Sequence, residues 1–285
     1  MLGTVVVAWG VTWPVHKVIL QTVPPLWLVA LRSAIATVAL VAIAIARRRL
    51  VLPPLADVPV LLSITLLHMI GFVLLMSWGL QFVSTGRSVV LAFTTPLWVT
   101  PGARLFLGEP VTAKRLAGVV AGLFGLIILF NPLAFEWENR AAIVGNGAIL
   151  AAALLWAMTI VHIRGHRWRS TPFELVPWEL LLATIVVTPI AMASGRLPAI
   201  DWDVRLIGLL LYSGIVGVAL AYWAVAVAGR LLPAVTTSLG LLVTPVVSIV
   251  VASVWLGDAV PPSLVAALVL ILGGVALGTI GGEAT

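Results

Sequence analysis

Few side chains here could do covalent chemistry, and their spacing argues against it. The four histidines, His16, His68, His162 and His166, are scattered, and the chain has neither an HExxH pair nor Walker spacing. No serine shares its sequence context with a histidine and an acid, as a hydrolase would require. Cysteine is absent, which excludes disulfides and thiolate metal sites and leaves the redox compartment unreported. What the chain does place inside long apolar runs is a set of hydroxyls, imidazoles and indoles. At bilayer depth such groups cost a few kcal/mol on insertion scales unless they face protein or water. They can hold a solute, so the expected chemistry is recognition, with no catalytic residue, cofactor or metal.

These residues fall into stripes at helical spacing. Trp9, Thr12, Trp13 and His16 form one, broken by Pro14, and Trp156, Thr159 and Ile163 echo it later. Thr65, His68, Phe72 and Met76 share a second face. Leu91, Thr95 and Trp98 make a third, with Pro96 and Pro101 as kinks, answered by Ser238, Thr244, Pro245 and Ser248. Tyr212 and Ser213 lie near the middle of another run, and Tyr222-Trp223 nearer its end.

From these we take Trp9, Thr12, Trp13, His16, Thr65, His68, Phe72, Thr95, Trp98, Trp156, Thr159, Tyr212, Ser213 and Ser238 as candidate substrate-binding residues. Pro14, Pro96, Pro245 and Lys17 are candidate gating residues. Blander roles compete with each. His68 can line a cavity or bond a neighbouring helix carbonyl as a neutral ring, tryptophans anchor at interfaces, and prolines shape packing. Lys17 can snorkel or meet a substrate carboxylate.

The elements that must position these residues are membrane spans. The chain is 9% charged and 62% hydrophobic, with a mean hydropathy of +1.20, whereas soluble domains are roughly a quarter charged. Ten apolar runs can be marked, at about 2–22, 25–46, 58–82, 86–107, 113–131, 142–164, 173–194, 204–226, 231–256 and 262–281. The first lacks a basic flank and a small-residue cleavage site, so it reads as a retained helix. The net charge of +6 sits in short breaks between runs, which suits orientation signals and excludes a nucleic-acid footprint. With the N-terminus inside, the inner breaks hold ten of the 16 Lys and Arg and the outer side six, which places both termini in the cytoplasm.

The runs repeat. Leu91–Glu109 overlays Gly240–Asp258 at a shift of 149, matching Thr95-Pro96 to Thr244-Pro245 and Gly108-Glu109 to Gly257-Asp258. At a shift of 147, Trp9 falls on Trp156, Lys17 on Arg164 and Arg32 on Glu179. Five spans per half is an odd number, so the second half starts on the opposite face and the halves are expected to be inverted repeats. Secondary transporters place a substrate site between such repeats and alternate access around it. Arg32 and Glu179 should then lie near opposite faces and form no direct pair. Gly118, Gly122 and Gly125, with Gly274, Gly278 and Gly282, form small-residue ridges for close contact, within the monomer or in a dimer.

Trp9-Gly10, Lys17, Pro24-Pro25, Arg32, Thr95-Pro96 and Leu107-Gly108-Glu109 together resemble the EamA-type, ten-helix branch of the drug/metabolite transporter superfamily, most like its YddG-type amino-acid exporters. The second copy is looser, with Trp156-Ala157 and Asp258. The resemblance implies an all-α integral membrane protein of two EamA repeats, 1–137 and 138–285, in the cell inner membrane. It implies export of amino acids, with drugs or metabolites such as nucleosides as the alternative cargo. A membrane-embedded enzyme or lipid-handling protein is the alternative from another class. No Asp or Glu lies at the midplane of runs one, three, four, six, eight or nine, so the cavity should prefer neutral or zwitterionic solutes. Gradient-driven facilitation is favoured over tight proton coupling. Aromatic rings would face an ammonium, and Thr and His would hold the carboxylate. The expected partners are the bilayer and a small molecule, with the chain a monomer or homodimer.

Overall fold

The computed structural model describes residues 2–130, 138–194, 200, 202–224 and 240–280, and all regular structure among them is helical. In chain order the helices are α1 (Leu2–Ile19), α2 (Pro25–Ala46), α3 (Leu55–Leu80), α4 (Thr85–Leu107) and α5 (Ala113–Phe130). They continue as α6 (Arg140–Gly165), α7 (Pro172–Ala193), α8 (Val204–Ala224), α9 (Thr244–Leu256) and α10 (Pro262–Ile280). Among the described residues, seven helices, α1–α4 and α6–α8, are long and apolar enough to cross a membrane. Ser238 and the first part of the expected ninth run lie outside the described residues.

The helix ends follow the local chemistry of the sequence. Thr171 and Glu174 form a capping box at α7, and the Asn139 and Asp203 side chains accept from Ala142 N and Leu206 N at α6 and α8. Gly108 and Gly257 close α4 and α9 at φ of +68° and +72°, which only glycine adopts without strain. The helical hydrogen bonding of α4 breaks at Phe93-Thr94, and a matching break at Leu242-Val243 precedes α9. Pro96 and Pro245 therefore sit in the first turn of a fresh helix, where a missing N–H costs nothing. Pro14, in contrast, lies within an unbroken α1.

Two π-helical stretches also correspond, Ile64–Phe72 in α3 and Tyr212–Leu220 in α8. Bonding from i to i+5 widens the turn and shifts which residues share a face. The α3 face is consequently not the one that simple α periodicity gives. Met69 and Val73 join His68, Phe72 and Met76, while Thr65 turns away and donates to the Glu179 carbonyl at 3.4 Å.

Packing brings α1 against α9 and α8, α6 against α4 and α3, α2 against α7, and α5 against α10. The last pair meets along the glycine ridges within one chain: a Cβ on Gly118 would overlap the carbonyl oxygen of Gly274, and the reverse holds too. The apolar exterior, with Val38, Leu105, Phe106 and Val254 exposed, suits hydrocarbon and would be a liability in water.

Several charged groups pair near helix ends. Glu109 pairs with Arg164 at 2.6 Å and Arg115 at 3.4 Å. Asp57, fully buried, bonds His166 at 2.8 Å and accepts from the backbone N–H groups of Arg169 and Ser170, which ties the start of α3 to the segment after α6. Each orphaned donor there would cost about 1–3 kcal/mol.

Gly274→Leu should lower the thermal midpoint of the purified protein by an amount equivalent to about 1–3 kcal/mol or more. Gly273→Leu, at an open position where an added Cβ meets nothing within 4 Å, should leave it unchanged. Differential scanning fluorimetry in detergent compares the two. By the same measurement Asp57→Ala should be destabilising, with Asp57→Asn milder because it retains one acceptor.

Candidate solute chamber and vestibule

An internal chamber forms where α1, α2, α3, α6 and α8 converge with Phe93 of α4 and Thr244 of α9. Its walls are aromatic. The His68 ring stacks on Trp156, with centroids 5.4 Å apart and planes 9° from parallel. Phe72 meets His68 edge-on at 5.3 Å, and Phe93 stands perpendicular to Trp156 at 6.3 Å. Across the chamber Trp9 and Tyr222 are T-shaped at 6.1 Å, and the Tyr222 hydroxyl approaches His68 Nδ1 at 3.4 Å. The Trp9 indole donates to the Gly217 carbonyl, in the π-helical stretch of α8, at 3.2 Å. The free space is about 80 Å³, room for the polar head of a solute, so that a bulky aromatic body enters only as the walls part.

Seven of the fourteen candidate binding residues line this chamber: Trp9, Thr12, Trp13, His16, His68, Phe72 and Trp156. Thr12 spends its hydroxyl on the Ala8 carbonyl one turn back, at 2.7 Å. His16 is fully buried, bonded through Nε2 to Ser213 Oγ at 2.8 Å, while its Nδ1 has no partner in the protein. Ser213 thus stands behind His16. Tyr212 likewise supports α1, donating to the Ala8 carbonyl at 3.0 Å.

The remaining candidates lie elsewhere. Thr159 is buried and back-bonded to the Leu155 carbonyl at 3.0 Å. The Trp98 indole donates to Thr94 Oγ1 at 3.2 Å and does not line the chamber. Lys17 donates to the carbonyls of Leu80 and Val83, where α3 ends and carbonyls lack helical partners. Thr95 and Pro96 belong to a second, larger cavity of about 630 Å³ bounded by α4, α5, α6 and α10. Glu109, Arg115 and Arg164 stand at its mouth, and its inner end shares Phe93 and Trp156 with the chamber. The two rings therefore form the partition between a roomy vestibule and the small chamber.

Eight lining residues stand outside the fourteen, among them Arg32, Phe93, Tyr222 and Thr244. Arg32 was legible as part of the repeat and the family motif, Tyr222 as a residue near the end of its run and Thr244 as the match of Thr95, while Phe93 carries no polar signal.

The chain matches the EamA-like transporter family twice, over residues 1–131 and 143–280. It is 31% identical to a probable amino-acid metabolite efflux pump of Salmonella typhimurium over 292 residues, 97% of this chain and 93% of that one. It is 32% identical to a riboflavin transporter of Rhizobium johnstonii over 119 residues, 41% of this chain and 37% of that one. A crystal structure superposes with a TM-score of 0.68 at 22% identity, covering 99% of this chain and 96% of that chain. With the family matched along nearly the whole length, and with apolar helices enclosing an aromatic chamber, the chain belongs to the EamA-like transporter family and is a membrane transporter, not an enzyme.

Proposed function

We propose that this protein exports neutral amino acids, aromatic and aliphatic, across the cell inner membrane. Ten spans arranged as two inverted five-helix repeats, 1–137 and 138–285, would alternate access to the chamber, with both termini in the cytoplasm and the chain a monomer or homodimer. The observation that carries the reading is the aromatic chamber with polar atoms at its wall, reached from a vestibule whose mouth holds Arg115, Arg164 and Glu109. The basic residues at that mouth are among those that the charge asymmetry assigns to the cytoplasm.

Support for two repeats comes from local structure. The π stretches, the helix breaks before the Thr-Pro pairs and the left-handed glycine caps each occur twice at corresponding positions. The helix contacts pair the same way under exchange of the halves, α1 with α9 as α6 with α4, and α1 with α8 as α6 with α3. Among the relatives, one named for amino-acid metabolite efflux aligns almost end to end.

A second cargo is favoured by one feature of the chamber. The near-parallel His68 and Trp156 rings present a flat surface that also suits heterocyclic metabolites or drugs. Competition separates the readings: inhibition of amino-acid flux by unlabelled amino acids supports export of that class, and flux that responds only to heterocycles selects the other.

In proteoliposomes, radiolabelled phenylalanine or leucine should equilibrate through the wild-type protein at a rate unaltered by a pH gradient. His68→Ala and Trp156→Ala should weaken apparent affinity roughly three- to tenfold, the value of one aromatic contact, at unchanged expression. No flux for any neutral amino acid would discard the substrate assignment.

A further inference from the structure

Among the described residues, Arg32 is the one Lys or Arg on the chamber wall. It lies in α2, about 9% exposed, and among the described residues it makes no hydrogen bond and no ion pair. The packed neighbour α7 carries a buried acid, Glu179. Glu179 is 3% exposed, lies outside the chamber lining and takes part in no ion pair either. A buried charge without a counter-charge is among the costliest features a bundle can carry.

Two further polar atoms on the same wall are also left over. His16 Nδ1 and Thr244 Oγ1 are buried, and neither has a partner in the protein. The Arg32 guanidinium thus belongs to a small space that His16 and Thr244 also line, and whose other walls include Trp9, His68, Phe72, Trp156 and Tyr222. A guanidinium fork matches the two oxygens of a carboxylate bidentately. The flanking hydroxyl can donate to such a group, as can the ring nitrogen in the tautomer where Ser213 donates to Nε2.

We propose that Arg32 is the anion anchor of the chamber, binding the carboxylate of a solute whose apolar or aromatic body packs against the rings, with His16 and Thr244 completing the cradle. The inference rests on the reading of the chamber as the transport site and adds a charge requirement to it. Cargo of this class bears a carboxylate, and an uncharged analogue of the same shape loses the main polar contact. It also gives the carboxylate a partner stronger than the Thr and His groups alone.

Calorimetric titration of the purified full-length protein in detergent with 3-phenylpropionate and its near-isosteric amide, 3-phenylpropionamide, tests the anchor without requiring transport. Wild-type protein should bind the carboxylate tenfold or more tighter than the amide. Arg32→Gln should erase that preference while leaving amide affinity unchanged, and Arg32→Lys should keep part of it as a point charge. Size-exclusion profile and thermal midpoint establish that the variants fold. If Arg32→Gln does not fold, the wild-type comparison and Arg32→Lys still decide. Equal affinity of the wild type for both compounds, no binding of the carboxylate, or a preference that survives Arg32→Gln overturns the proposal. Absence of amino-acid flux with carboxylate binding intact counts against the exporter reading alone.

Discussion

In hydrocarbon a polar group has no solvent to fall back on, and that constraint organises the molecule. Most of the intramembrane hydroxyls meet it locally. Thr12, Thr37, Thr159 and Thr184 each donate to the carbonyl one turn earlier, which removes them from further use at almost no structural cost. Lys17 meets it by binding carbonyls where a neighbouring helix ends. The groups that find no such local partner are then informative. Of these, Arg32, His16 and Thr244 line one small space and come from three different helices or helix starts, while Ser77, Thr85 and Ser248 lie outside it.

Duplication explains the scaffold and, by its departures, the chamber. The same local sequence makes the same local structure twice, as the paired π stretches and glycine caps show. The chemistry is not duplicated. Arg32 corresponds to Glu179, and only the arginine lines the chamber. Glu109 pairs with Arg164, while its counterpart Asp258 accepts from the Thr85 backbone N–H at 2.8 Å. Of the corresponding tryptophans, Trp9 bonds a helix carbonyl and Trp156 stacks on His68. A near-symmetric frame therefore holds an asymmetric chamber.

The glycine ridges of α5 and α10 serve a different purpose. Their backbones approach too closely for any side chain at Gly118 or Gly274, so these helices associate by van der Waals contact in a medium that offers no hydrophobic drive for it. Gly122 receives Leu97 of α4 in the same way, which ties the ridge pair to a vestibule wall.

The sequence by itself determined the membrane environment, the helical class, the internal repeat and the aromatic character of the site, because each depends on composition or on spacing along the chain. Apolar length and turn chemistry act locally, so the runs and the paired Thr-Pro and Gly-acid motifs could be read directly, whereas the breaks before Thr-Pro appeared only in the structure. Tertiary structure alone decided which polar residues share a space. Thr65, Thr159 and Trp98 have the spacing of site residues, but their hydrogen bonds go elsewhere, and the π stretch turned Met69 and Val73 inward against simple helical periodicity. Arg32 gained its position only when α2 packed beside α7 and α8. The partners of Thr159 and Trp98 are one turn away, but that of Thr65 is more than a hundred positions distant, and one-dimensional spacing carries no record of that distance.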